Sequence, residues 1–424
     1  MAPHTNNLEF GKFDREGFMS ASSEIKFFSK PVDLDIAIQE NLYPQRVIYG
    51  VGALQSLVHV IKGLAENILI VTHAPGRFSG TGILNGVIAQ LSNSSLQVNL
   101  FEISGTPDTA VVDAGVKLIR DNDIQLVVCI GGGTVLDAGK AMAILANNDG
   151  SCEDYQLKVK SISKISIPVL AVPTTAGSGS EATTVAVIEN KRLKIIRSLA
   201  HPFMMPQVAL LDPIFIQTLP DSILATAGLD AFSHALESFT SPKATKLTEG
   251  SSLNAIKLVR ASLPKVLIDR TDQESCMNLL LGSHIAGQAL NAGVGAAHIF
   301  AQPLTAAIGV SHGMALSLVL EEVIKFNEKQ VPGKYQEVLN NIETAIGSAS
   351  STMSGEIHRF IKEIGFDNKL SDFAKPDSVD LVMEKVVQTT SHIWTNACAV
   401  NLGDLKDILT KAWNLQSEES SLLK

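Results

Sequence analysis

Between residues 46 and 173 the chain repeats one pattern: short apolar runs rich in β-branched residues, separated by stretches of helical periodicity. The run at 67–72 (Asn-Ile-Leu-Ile-Val-Thr) is the clearest; 96–101, 125–130 and 167–172 repeat it, and a shorter run at 46–49 ends on Gly50. A strand with one wet face alternates polar and apolar residues, whereas a strand apolar throughout is covered on both faces. Strands of that kind joined by helices, such as the one expected at 109–121, build βαβ units and a doubly wound parallel sheet. Beyond about Pro220 the texture changes. Segments 221–241, 246–267, 274–291 and 314–327 carry helical periodicity, and no strand signal accompanies them.

A length of 424 residues exceeds what one hydrophobic core usually supports. The expected organisation is an α/β doubly wound parallel-sheet domain at 41–218, an all-α domain at 219–424, and an extension at 1–40. The extension holds several phenylalanines and no sustained period, which suits packing against the body. Mean hydropathy is +0.20, but no apolar run approaches the roughly 18 residues of a spanning helix; buried parallel strands account for the value. A net charge of −9 argues against a nucleic-acid partner, because phosphate binding wants a basic surface. Cys129, Cys152, Cys276 and Cys398 are too few and too scattered for a disulfide framework or a thiolate metal site. With a polar N-terminus lacking a signal-peptide core, the chain reads as a cytoplasmic protein.

Two loops carry chemistry. Gly131-Gly132-Gly133-Thr134-Val135-Leu136-Asp137 follows a buried run and opens a helix. Glycines let backbone approach a pyrophosphate, and the free N–H groups of a helix N-terminus favour the anion; the plainer alternative is a tight strand-to-helix turn. Pro173-Thr174-Thr175-Ala176-Gly177-Ser178-Gly179-Ser180-Glu181 follows another buried run. Its hydroxyls can donate to phosphate or ribose oxygens. In a doubly wound, Rossmann-like sheet both loops face one crevice at the carboxyl ends of the strands.

Of ten histidines, His4, His59, His201, His284, His358 and His392 stand alone and read as surface or satisfied core residues. Asp230 and His234, in Gly228-Leu229-Asp230-Ala231-Phe232-Ser233-His234, share one helix face at i and i+4. Such a pair can hold a metal ion or simply hydrogen-bond. His298 and His312 each sit among small residues. In one straight helix they would lie roughly 21 Å apart, so sharing an ion needs a reversal, which Pro303, Gly309 and Ser311 permit. One carboxylate with three imidazoles suits Fe²⁺ or Zn²⁺ rather than Mg²⁺ or Ca²⁺.

Together, in this order, the glycine loop, the Pro173–Glu181 loop, the Asp230–His234 helix and the two later histidines resemble the iron-containing (group III) alcohol dehydrogenases over roughly residues 45–415. The resemblance implies Asp230, His234, His298 and His312 as the catalytic metal ligands. It implies cofactor contacts from Gly132, Gly133, Thr134, Asp137, Thr174, Thr175 and Ser178, and a cofactor-side lysine at Lys194. It further implies NAD or NADP, Fe²⁺ or Zn²⁺, a small alcohol or aldehyde substrate, and a homodimer or larger homo-oligomer. Two departures stand out. His73, with Arg77 nearby, replaces the acid that often binds the adenosine ribose, leaving NADP open. Gln302 occupies the place of a histidine that some relatives use for proton transfer. Rival readings are a sugar-phosphate cyclase like dehydroquinate synthase, a glycerol dehydrogenase or maleylacetate reductase, and a non-catalytic sensor or filament subunit. The absence of a basic cluster argues against a highly anionic substrate.

Overall fold

The apolar runs form strands β1 (Arg46–Tyr49), β2 (Asn67–His73), β3 (Gln97–Ile103), β4 (Leu126–Gly131) and β5 (Val169–Pro173). Three further strands follow: β6 (Val185–Asn190), β7 (Ile195–Ala200) and β8 (Val208–Leu211). Helices α1 (Leu57–Lys62), α2 (Thr81–Ser92), α3 (Thr109–Asp121), α4 (Gly133–Ala146) and α5 (Cys152–Gln156) are interspersed among them. The computed structural model describes residues 40–74, 81–193, 195–388 and 390–422. The expected extension up to residue 39, Arg77 and Lys194 lie outside them.

Six strands pair in the order β1-β8-β5-β4-β2-β3, every pairing parallel. Leu69, Val71, Val127 and Cys129 face a layer containing Val112, Val116 and Met142 from α3 and α4. Ile68, Ile70, Val128 and Ile130 face Leu57, Ile61, Leu84 and Leu91 from α1 and α2. This two-sided cover is why the strands read as unbroken apolar runs. From β2 the chain adds β3 on one side and β4 on the other. That reversal opens the crevice where ligands of doubly wound sheets bind, beyond the carboxyl ends of the strands. The antiparallel β6–β7 hairpin was not anticipated; its short, polar-interrupted strands give a weak local signal.

After Leu211 the described residues contain no strand. The helices are α6 (Asp221–Thr240), α7 (Lys246–Ile268), α8 (Gln273–Ala289), α9 (Ala296–Ile308), α10 (His312–Glu328), α11 (Pro332–Ile346), α12 (Met353–Glu363), α13 (Ser378–Gln388) and α14 (Leu402–Leu422). Their core, with Phe232, Phe239, Phe300 and Phe360, runs on to Ala209 and Leu211 of β8, and Asn41–Lys424 form one compact unit. No described helix is long and apolar enough to cross a membrane. One expectation changes: Pro303 lies inside α9, so it does not turn the chain between His298 and His312. Gly309, at φ 76°, ends α9 in the left-handed conformation, which glycine adopts without a Cβ clash.

Candidate metal centre and cofactor cleft

Helix α6 presents Asp230 and His234 one turn apart, and the His234 Nε2 lies 3.6 Å from Asp230 Oδ1. His298 is the third residue of α9 and His312 the first of α10. After the turn at Gly309, Ser311 caps α10 by accepting the Met314 N–H at 3.4 Å. Gly313 then lies directly on α6: a Cβ there would stand 2.6 Å from the Thr226 carbonyl oxygen. That close approach sets the start of α10 beside Asp230. The Nε2 atoms of His298 and His312 are each 3.5 Å from the same Asp230 Oδ1. The His234 ring stacks on that of His298 with centroids 4.6 Å apart.

Asp230, His298 and His312 form a donor group that fits a divalent cation, and His234 stands beside it at Asp230. Around a tetrahedral ion with ligand distances of about 2.1 Å, neighbouring donor atoms stand about 3.4 Å apart; the three Asp230–histidine separations are 3.5–3.6 Å. One donor atom each from Asp230, His298 and His312 lies within 4.8 Å of the others. Asp230 Oδ1 and His298 Nε2 are buried with no hydrogen-bond partner, and an orphaned buried polar atom costs about 1–3 kcal/mol unless something else satisfies it. Burial opposes the Asp230 charge, yet the neighbouring imidazoles hold its carboxyl well below the usual carboxylate range. Burial pushes His234 down to about 4. Burial also works against a charged His298, but the Glu237 and Asp230 carboxylates hold it up at about 9. The His312 side chain is 41% exposed, against 10% for His234 and 7% for His298, so the centre opens on the His312 side.

The two loops lie together because Gly131 of β4 pairs with Pro173 of β5 and the Thr174 N–H donates to the Gly131 carbonyl at 3.0 Å. Helix α4 starts at Gly133 without a side-chain cap, leaving N–H groups suited to an anion. Gly133, Thr134, Asp137, Thr175 and Ser178 line one cleft with Asp230, His234, His298 and His312, in a cavity of about 780 Å³. Gly132 and Thr174 are buried behind that wall, and neither they nor His73, half-buried at the end of β2, lines the cavity. Asp137 is engaged within the protein: Oδ1 accepts the Ser180 hydroxyl at 2.5 Å and Oδ2 the Val187 N–H at 2.8 Å. It ties α4 to the second loop and to the hairpin, whose Val185, Val187 and Glu189 line the cleft as well. No lysine or arginine occurs among the described lining residues. His284, read as a satisfied core residue, pairs with Glu181 at 3.2 Å.

Sequence reading missed Glu237, which accepts from His298 Nδ1 at 2.5 Å. Its spacing of seven from Asp230 on one helix was the available signal.

Two family models cover most of the chain: iron-containing alcohol dehydrogenase over residues 44–213, and the C-terminal model of the Fe-containing alcohol dehydrogenase family over 224–413. The alcohol dehydrogenase 4 of Schizosaccharomyces pombe is 31% identical over 84% of this chain and 83% of its own length. The chain belongs to the iron-containing alcohol dehydrogenase family. This iron-containing dehydrogenase is also similar to long-chain-alcohol dehydrogenase 1 of Geobacillus thermodenitrificans, at 29% identity over 81% of this chain and 88% of the relative. Among solved structures it is similar to the sulfoacetaldehyde reductase of Bifidobacterium kashiwanohense in complex with NAD⁺. That match has a TM-score of 0.79 and 27% identity, and covers 88% of this chain and 98% of the other.

Proposed function

We propose that this chain interconverts a small alcohol and its aldehyde or ketone, using NAD or NADP in the cleft and a divalent cation held by Asp230, His234, His298 and His312. One observation carries the reading: three imidazole Nε2 atoms converge on one buried carboxylate oxygen in the same cleft as the two phosphate-type loops. When bound, the cation polarises the substrate oxygen and the dinucleotide gives or takes the hydride. The chain's own residues bind and orient. The N-terminus of α4 receives the pyrophosphate through backbone N–H groups, and Thr134, Thr175 and Ser178 offer hydroxyls to phosphate and ribose oxygens. Asp230, His234 and His298, nearly buried, keep water from three sides of the centre, while the exposed side of His312 admits substrate. Gln302 lines the cleft and holds no titratable proton, so the proton leaves through water, the ribose hydroxyls or another side chain. The absence of lysine and arginine among the described lining residues supports an uncharged substrate.

The same reading includes a cytoplasmic homo-oligomer. All four cysteines are unpaired, which fits a reducing compartment; β1 is an edge strand among the described residues and ends on the exposed Tyr49, which fits edge-to-edge pairing.

The test is anaerobic reduction of short and medium aldehydes by metal-stripped protein, reloaded with Fe²⁺ or Zn²⁺, with NADH and NADPH compared. Turnover is expected only after reloading and is lost in His298→Ala. Equal turnover in the stripped protein, or in the variant, refutes the assignment.

A further inference from the structure

Helix α9 begins without a cap of its own, because Gly295 at its N-cap has no side chain. Its first free N–H groups are satisfied from elsewhere in the fold. The Ala296 N–H donates to Asn396 Oδ1 at 3.1 Å, and the Ala297 N–H donates to Glu237 Oε1 at 2.7 Å. The second oxygen of the same carboxylate, Oε2, lies 2.5 Å from His298 Nδ1. Gly295 makes room for this arrangement, since a Cβ there would stand 2.9 Å from Glu237 Oε1 and 3.0 Å from Asn396 Oδ1.

We propose that Glu237 is the positioning residue for His298, one carboxylate holding both the first turn of α9 and the imidazole Nδ1–H. The proposal rests on the metal reading above and extends it to a residue outside the ligand set. An ionised carboxylate only accepts, so the Nδ1 facing it carries a proton; when the ring gives up its other proton, as ligation requires, the lone pair stands on Nε2. That Nε2 is the buried atom without a hydrogen-bond partner, 3.5 Å from Asp230 Oδ1. Glu237 thus fixes which nitrogen can ligate, where the ring stands and in which plane it lies. Asn396 provides an internal comparison. It caps the same helix turn and is held by Asn327, Nδ2 to Oδ1 at 3.0 Å and at 2.9 Å in the reverse sense. Its partners are the Ala296 N–H, the Asn327 amide and the Cys398 carbonyl.

The experiment uses the metal-stripped full chain and measures Zn²⁺ affinity by competition with a chromophoric chelator, the visible absorption of the Co²⁺ form, and the melting of the metal-free protein. In Glu237→Gln the amide must set a donor against either the Ala297 N–H or the Nδ1–H. The latter contact forces the ring proton on to Nε2. The expected loss of Zn²⁺ affinity is about 10- to 100-fold, the usual effect of removing such a partner, with an altered Co²⁺ spectrum. Asn396→Ala is expected to lower the melting temperature of the metal-free protein while leaving affinity and spectrum unchanged. Glu237→Asp, which keeps the charge, is expected to recover part of the affinity. Wild-type affinity in Glu237→Gln, or equal losses in Glu237→Gln and Asn396→Ala, overturns the positioning role while leaving the metal site standing. Wild-type affinity in His298→Ala overturns the metal site itself, and the proposal with it.

Discussion

Gly287→Ala is expected to damage the cofactor cleft, whose lining includes Gly287. Gly287 lies in α8 against Gly179 of the second loop; an added Cβ would stand 2.4 Å from the Gly179 carbonyl oxygen and 2.9 Å from its Cα. Carbon and oxygen in contact settle at roughly 3.3 Å or more, so one backbone must retreat by about 0.9 Å. Neither atom belongs to a side chain that can rotate away. In an open helix, alanine for glycine gains about 1 kcal/mol, while overpacking a tight contact costs about 1–3 kcal/mol. The clash therefore wins or at best cancels the gain. Because the loop also carries Thr175 and Ser178, a displacement near 1 Å is expected to weaken dinucleotide binding about tenfold, or about 1.4 kcal/mol. Gly250→Ala on α7 is the matched control, since a Cβ there meets nothing within 4 Å. It is expected to stabilise the protein by up to about 1 kcal/mol and to leave binding alone. Urea unfolding and NADH fluorescence titration read both quantities. A Gly287→Ala protein that gains stability as Gly250→Ala does, or loses stability with binding untouched, refutes the reasoning.

Two further outcomes follow from buried charges. Lys140 on α4 is fully buried, and its ammonium donates to the Ser180 carbonyl at 2.9 Å, the Thr183 hydroxyl at 3.0 Å and the Val185 carbonyl, with Asp137 3.4 Å away. Lys140→Met leaves these acceptors unpaired and is expected to cost about 3–5 kcal/mol in urea unfolding; a loss below about 1 kcal/mol would show that the strap between α4 and the second loop is dispensable. Glu356 on α12 accepts from buried Arg260 at 2.9 Å and from Arg359; burial opposes its charge, but the two guanidinium groups hold its carboxyl below the usual range. A depressed folded value means stability that is fully present above the unfolded value of about 4.3 and is lost as pH falls through the lowered one. Glu356→Gln is expected to be less stable at pH 7 and to show a shallower acid limb, and parallel stability–pH curves for the two proteins would contradict this.

Some of this protein is legible residue by residue. β2, β4 and β5 announce themselves because helices cover both faces of the sheet, so burial appears as an unbroken apolar run. The glycine loop is legible because it directly follows β4 and opens α4, and Asp230 with His234 because a helix fixes what lies four residues on. Local period is written in local sequence. The β6–β7 hairpin is not, since its alternation is short and part of its register is set by Asp137, 50 residues away from Val187. Nor is the convergence of His298 and His312 on Asp230, which needs both the turn at Gly309 and the seat of Gly313 on Thr226. Glu237 and Asn396 find their partners on α9 at 60 and 100 residues' separation, distances at which no periodicity carries information. The sequence by itself determined the buried strands β2, β4 and β5, the two loops and the kinds of donor. Tertiary packing decided which nitrogen faces which oxygen, because that depends on how helices distant in sequence rest against one another.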